Sequence, residues 1–151
     1  MQKVDLSDLG PGIFILRAPS ARVSFPQVTE GGDGQGKLVF SVATHSVAST
    51  PTIGVLERHP HSTQSFIALN AKRWILAVAP SRSDGRPDIG NIAYSVLGQG
   101  DAVCIGKSVW HAPILALDGG EELAMQMWRT EAGDDTELFD LPEQLAVELD
   151  Q

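Results

Sequence analysis

LERHPHSTQSF, residues 56–66, sets two imidazoles, His59 and His61, two positions apart in a short apolar-flanked segment. A strand directs residues i and i+2 to one face, so an extended segment gathers Glu57, His59 and His61 on one side and turns Arg58 to the other. Pro60, between the histidines, lacks an N–H and marks an edge or a bend. Outward from this stretch, glycines and prolines recur about every 8 to 15 residues, separating short runs rich in Val, Ile, Phe and Trp. This is the punctuation of an all-β sandwich or barrel. Strands are expected at 13–16, 37–43, 54–59, 65–69, 74–79, 92–96, 101–105, 114–117 and 122–129, and loops at 31–36 (GGDGQG), 81–90 (SRSDGRPDIG) and 118–120. LPEQLAVEL at 141–149 reads differently: Pro142 suits a first helical position with acids after it, which predicts one short C-terminal helix. Trp74 and Trp128, in apolar runs, read as core.

The chain has 151 residues, 42% of them hydrophobic, which suits a single domain over 1–151 with one sizeable core. No stretch approaches the roughly 18 apolar residues of a membrane span, and the N-terminus MQKVDLSDLGPG lacks the apolar centre of a signal peptide. A cytoplasmic protein is expected. Cys104 is the one cysteine, so an internal disulfide and a cysteine-based zinc site are excluded. Eleven Lys and Arg against 19 Asp and Glu give a net charge of −8, which argues against nucleic-acid and anionic membrane partners.

Gln64 and Phe66 follow the histidine pair, and further on comes CIGKSVWHAP, residues 104–113, where Gly106 makes a turn that leads to His111. The two segments resemble the paired motifs of cupins: a His-x-His with a downstream carboxylate, then a Pro-x-Gly turn and a third His. Gln64 stands near the carboxylate position, and Ile105 replaces the proline. The resemblance implies a double-stranded β-helix, or jelly-roll barrel. Its ligand set would be His59, His61, Gln64 and His111, suited to one divalent ion such as nickel, zinc, manganese or iron. No organic cofactor is expected.

The resemblance narrows over roughly residues 50–117. LERHPHSTQSFIAL, WILAVAP, GRPDIGNIAYSVLGQG and KSVWHAPILAL are similar, in order and spacing, to segments of ureidoglycolate lyases. Glu57, Arg58, His59, Gln64, Phe66, Trp110 and His111 coincide with the family's motifs. The chain departs from the family at Ala43, where the family commonly has Arg, and at Gly106 and Ala112, where it has His. His45, His61 and Lys107 add polar groups of the chain's own.

The resemblance implies a homodimer that splits ureidoglycolate, a small anionic substrate, into glyoxylate and urea. That cleavage needs a base for the carbinol hydroxyl, an acid for the departing nitrogen and a cation for the carboxylate. Glu57, His59, His61 and His111 are the candidates for acid–base work, since imidazole titrates near neutral pH. Lys107, in the turn before His111, is the candidate cation, with Arg58, Gln64, Phe66 and Trp110 lining the substrate. Alternatively, a bound metal chelates the hydroxyl and carboxylate together. Two rival readings fit the same residues: a diverged cupin that binds a small carboxylate or sugar, and a metal-dependent cupin isomerase or dioxygenase.

Overall fold

The computed structural model describes residues 1–5, 8–16, 36–45 and 50–149, and most of them are β-strand. The strands are β1 (Gln2–Lys3), β2 (Ile13–Leu16), β3 (Gly36–His45), β4 (Thr52–Arg58), β5 (Gln64–Ala68) and β6 (Arg73–Ala79), then β7 (Ala93–Gly98), β8 (Ala102–Ile105), β9 (Trp110–His111), β10 (Leu115–Ala116), β11 (Glu121–Thr130) and β12 (Glu137–Ala146). They build two sheets. One runs β1-β7-β6-β9-β4-β12, with β10 also on β6, and the other runs β2-β8-β5-β11-β3. The ladders are antiparallel except for β1 on β7. Of the expected 31–36 loop, 31–35 lie outside the described residues, and Gly36 opens β3.

Side chains from both sheets meet in the barrel interior: Phe66, Ala68, Val103, Ile105 and Leu123 from one, Trp74, Leu76, Val78 and Leu97 from the other. Each large apolar side chain buried there contributes about 1.5–3 kcal/mol. A second cluster lies on the opposite face of the larger sheet, where Leu56, Ile75, Ala77, Ala79, Tyr94 and Trp110 are covered by Phe139, Leu141 and Leu145. Strand β6 is therefore buried on both faces. This is why WILAVA is a continuous apolar run rather than an alternating one.

The short C-terminal helix is absent, because 137–146 form the strand β12 on β4. The ladder runs from Glu137 on Arg58 to Asp140 on Val55, breaks, and resumes with Leu145 on Ile53. Pro142 sits within that break, where a missing N–H costs no ladder bond. Phe139, Leu141 and Leu145 then reach the second apolar cluster, and this burial outweighs the local helical signal. Trp128 is only partly buried, unlike Trp74, which is fully enclosed and donates its indole N–H to the Gly98 carbonyl.

Candidate active site

Glu57 and His111 face each other directly across the β4–β9 ladder, so both side chains lie on one face of the sheet. His111 also pairs with Val78, an interior residue, which fixes that face as the one turned into the barrel. His59 follows β4 by one residue and joins them. The imidazole centroids of His59 and His111 are 5.3 Å apart, and Glu57 Oε1 lies 3.4 Å from His111 Nε2 and 3.8 Å from His59 Nε2. Gln64 comes from the other sheet, opposite Met127 on β11, and its Oε1 accepts from His111 Nε2 at 2.9 Å. Phe66, two positions on, extends the same face as apolar wall.

The turn at 106–109 sets the His111 ring. Ser108, held at φ 60°, donates its N–H to the His59 carbonyl at 2.9 Å, and the Val109 carbonyl accepts from His111 Nδ1 at 2.9 Å. Both nitrogens of His111 thus lie within hydrogen-bonding distance of oxygen atoms. His59 is arranged otherwise. Its Nδ1 donates to the Asp135 carbonyl at 3.0 Å, with the Thr136 hydroxyl at 3.3 Å. Its Nε2 is buried with no hydrogen-bond partner among the described residues. A donating Nδ1–H leaves Nε2 as a bare lone pair.

Burial holds the His59 imidazole below the usual histidine value, and the neighbouring His111 adds to this, against the Asp135 carbonyl, the Glu57 charge and the nearby Gln64 side chain. For Glu57, burial works upward, yet the hydrogen bond and charge of His111, with His59 and Arg129, outweigh it and hold the carboxyl below its ordinary value. Glu57, His59 and His111 each offer a ligand atom within 4.8 Å of the others, so they could hold a metal ion. The orphaned His59 Nε2 fits that use, as a lone pair beside a carboxylate.

The structure splits the remaining sequence candidates. His61 lies past the end of β4, beyond Pro60, with its half-exposed ring 3.8 Å from Asp134, and it does not join the cluster. Arg58 and Trp110 are adjacent to Glu57 and His111 and therefore face the opposite side of the sheet. Arg58 stacks 4.6 Å above the Trp110 ring and bonds to Glu137 at 2.7 Å, and both Arg58 and Trp110 Nε1 donate to the Gly85 carbonyl. Lys107 is exposed in the turn.

None of the three departures belongs to the Glu57–His59–His111 cluster itself. Ala43 pairs with Leu123, toward the far end of the barrel. Ala112 packs in the second apolar cluster. A Cβ at Gly106 would meet the Gly12 carbonyl oxygen at 2.9 Å, so the close approach of the 10–12 segment requires glycine.

Residues 20–148 match the family model described as ureidoglycolate lyase. A ureidoglycolate lyase of Azotobacter vinelandii is 35% identical over 142 residues, covering 91% of this chain and 84% of the relative. One of Burkholderia cepacia is 40% identical over 87 residues, and there the match spans only 48% of the relative's length. Among solved structures, a dTDP sugar isomerase from Desulfovibrio desulfuricans superposes with a TM-score of 0.53 at 19% identity, covering 89% of this chain and 86% of that one. This last likeness shows the barrel fold.

Proposed function

The chain belongs to the ureidoglycolate lyase family, and we propose that its His59–His111–Glu57 cluster cleaves ureidoglycolate into glyoxylate and urea. The unpartnered Nε2 of His59, buried beside a carboxylate and a second imidazole, carries this reading. His59 Nε2 takes the proton of the carbinol hydroxyl. As the C=O of glyoxylate forms, the C–N pair leaves with the urea nitrogen, which receives a proton from His111 Nε2. Glu57 balances the charge on His111, and Gln64 fixes its ring. Alternatively, Glu57, His59 and His111 would hold a divalent ion such as nickel, zinc, manganese or iron, which would supply Lewis acidity toward the substrate's hydroxyl and carboxylate in place of the acid–base roles of the two Nε2 atoms.

The family reading favours this lyase over a barrel that only binds a carboxylate or sugar. The departures at Ala43, Gly106 and Ala112 leave the cluster intact, which supports the same choice. We propose that the chain works as one domain, in the cytoplasm, on a small anion. A homodimer is supported by Leu38, Phe40 and Val42, an exposed apolar row on the edge strand β3.

Glyoxylate release from ureidoglycolate, measured with and without added nickel or manganese, tests the activity. His111→Ala and Glu57→Gln are each expected to lower kcat by about 10²–10⁴-fold. Wild-type protein that releases no glyoxylate under any metal condition overturns the reading.

A further inference from the structure

The cleavage needs a cation for the substrate carboxylate, and the described cations differ sharply in where they point. Arg58 is engaged by Glu137 on the opposite face of the sheet, and Lys107 is exposed in its turn. Lys37, directly opposite Arg129 on the β11–β3 ladder, shares its face but is 79% exposed and paired with Glu131 at 2.9 Å. Arg129 differs in being less exposed and in contact with the buried Asp135. On β11 the odd-numbered side chains Leu123, Met125 and Met127 turn into the barrel, so Arg129 is the next inward position, one step past the residue that pairs with Gln64.

Asp135 ties Arg129 to the histidine cluster. Its buried carboxylate accepts from Arg129 Nη1 at 3.4 Å, while its backbone carbonyl holds His59 Nδ1 at 3.0 Å. That single contact leaves Nε and Nη2 of Arg129 without a partner among the described residues, on a side chain that is half-exposed at the rim. Its charge is felt at the Glu57 carboxylate.

We propose that Arg129 binds the substrate carboxylate, setting the carbinol carbon between His59 and His111. The identity of that carboxylate rests on the lyase reading above. The guanidinium fork suits a carboxylate in two-point contact, which both binds and orients it. Asp135 then acts as a positioning residue that registers the anion site against the ring of His59.

Steady-state kinetics of Arg129→Gln and Arg129→Lys on ureidoglycolate, with thermal unfolding of each, test this. Arg129→Gln is expected to raise KM by roughly 10- to 100-fold while kcat changes far less, and Arg129→Lys to fall between it and wild type. Cleavage of hydroxymethylurea, the carbinol without a carboxylate, is expected to be unchanged by either variant. A wild-type KM in Arg129→Gln, or an equal loss on hydroxymethylurea, overturns the anchor while leaving the lyase reading standing.

Isothermal titration with oxalate separates the two failures. If wild-type protein cleaves nothing, the lyase reading fails, and weaker oxalate binding in Arg129→Gln still sustains the anchor, whereas unchanged binding overturns it. If Arg129→Gln does not fold, Arg129→Lys decides: weakened oxalate binding supports the fork, and wild-type affinity overturns it.

Discussion

Glu121 and Glu57 are both carboxylates drawn into the barrel, and their surroundings could hardly differ more. Glu121, at the start of β11, is 3% exposed. Its Oε1 accepts from the backbone N–H groups of Lys72 at 3.0 Å and Arg73 at 3.2 Å, and its Oε2 from that of Leu117 at 2.9 Å. Every one of these donors is fixed main chain. Glu57 instead faces two imidazoles, one of which keeps a bare nitrogen. A carboxylate saturated by backbone donors holds strands together, while one that shares its site with under-satisfied side chains is available for chemistry. The β11 strand joins the two situations, with Glu121 at one end and Arg129 near the other.

The sharpest way to break this division is Glu121→Ala. It strands three backbone N–H groups and is expected to lower the unfolding free energy by about 3 kcal/mol in urea titration, while glyoxylate release per folded molecule stays at the wild-type level. Lost activity at unchanged stability would erase the distinction.

A smaller effect is expected from acid. His59 and Glu57 both take up protons at lower pH in the folded chain than in the unfolded chain. Their contribution to stability is therefore complete above the ordinary histidine value of 6.5 and declines as pH falls through the folded value of His59. Below 4.5, Glu57 adds a further loss. Urea midpoints at pH 8 and pH 5.5 should show the decline, and His59→Gln should flatten it. The smallest effect belongs to His61→Ala, expected to leave kcat/KM within about twofold, because the ring lies outside the cluster.

Much of the barrel was legible because apolar runs and turn residues mark strands directly: 13–16 was placed to the residue, and most other strands to within two. β12 was not, since Pro142 followed by acids carries a real helical signal that only the ladder to β4 and the second apolar cluster override. His59 and His111 were visible in their motifs. Their meeting with Glu57 was foreseen only in part, because it depends on the cross-strand register of β4 and β9. His61 was drawn in by a period-two pattern that stops at Arg58, where β4 ends. Alternation also assigned Arg58 correctly to the face opposite Glu57, yet the family motif recruited it to the substrate. Arg129 gave no local signal, being a lone charge at the end of an apolar run, and its neighbours Gln64 and Asp135 come from other elements.

Strand β6 carries a consequence for motion. It is laddered to β7 on one edge and to β9 and β10 on the other, and side chains cover both of its faces. Its amides should be among the slowest in the molecule to exchange with solvent deuterium, opening only with global unfolding. Strand β9 has two residues and would fray alone, yet it is clamped between β6 and β4, so His111 inherits the slowest clock in the protein. The proposed acid–base pair would then rest on the part of the barrel slowest to open.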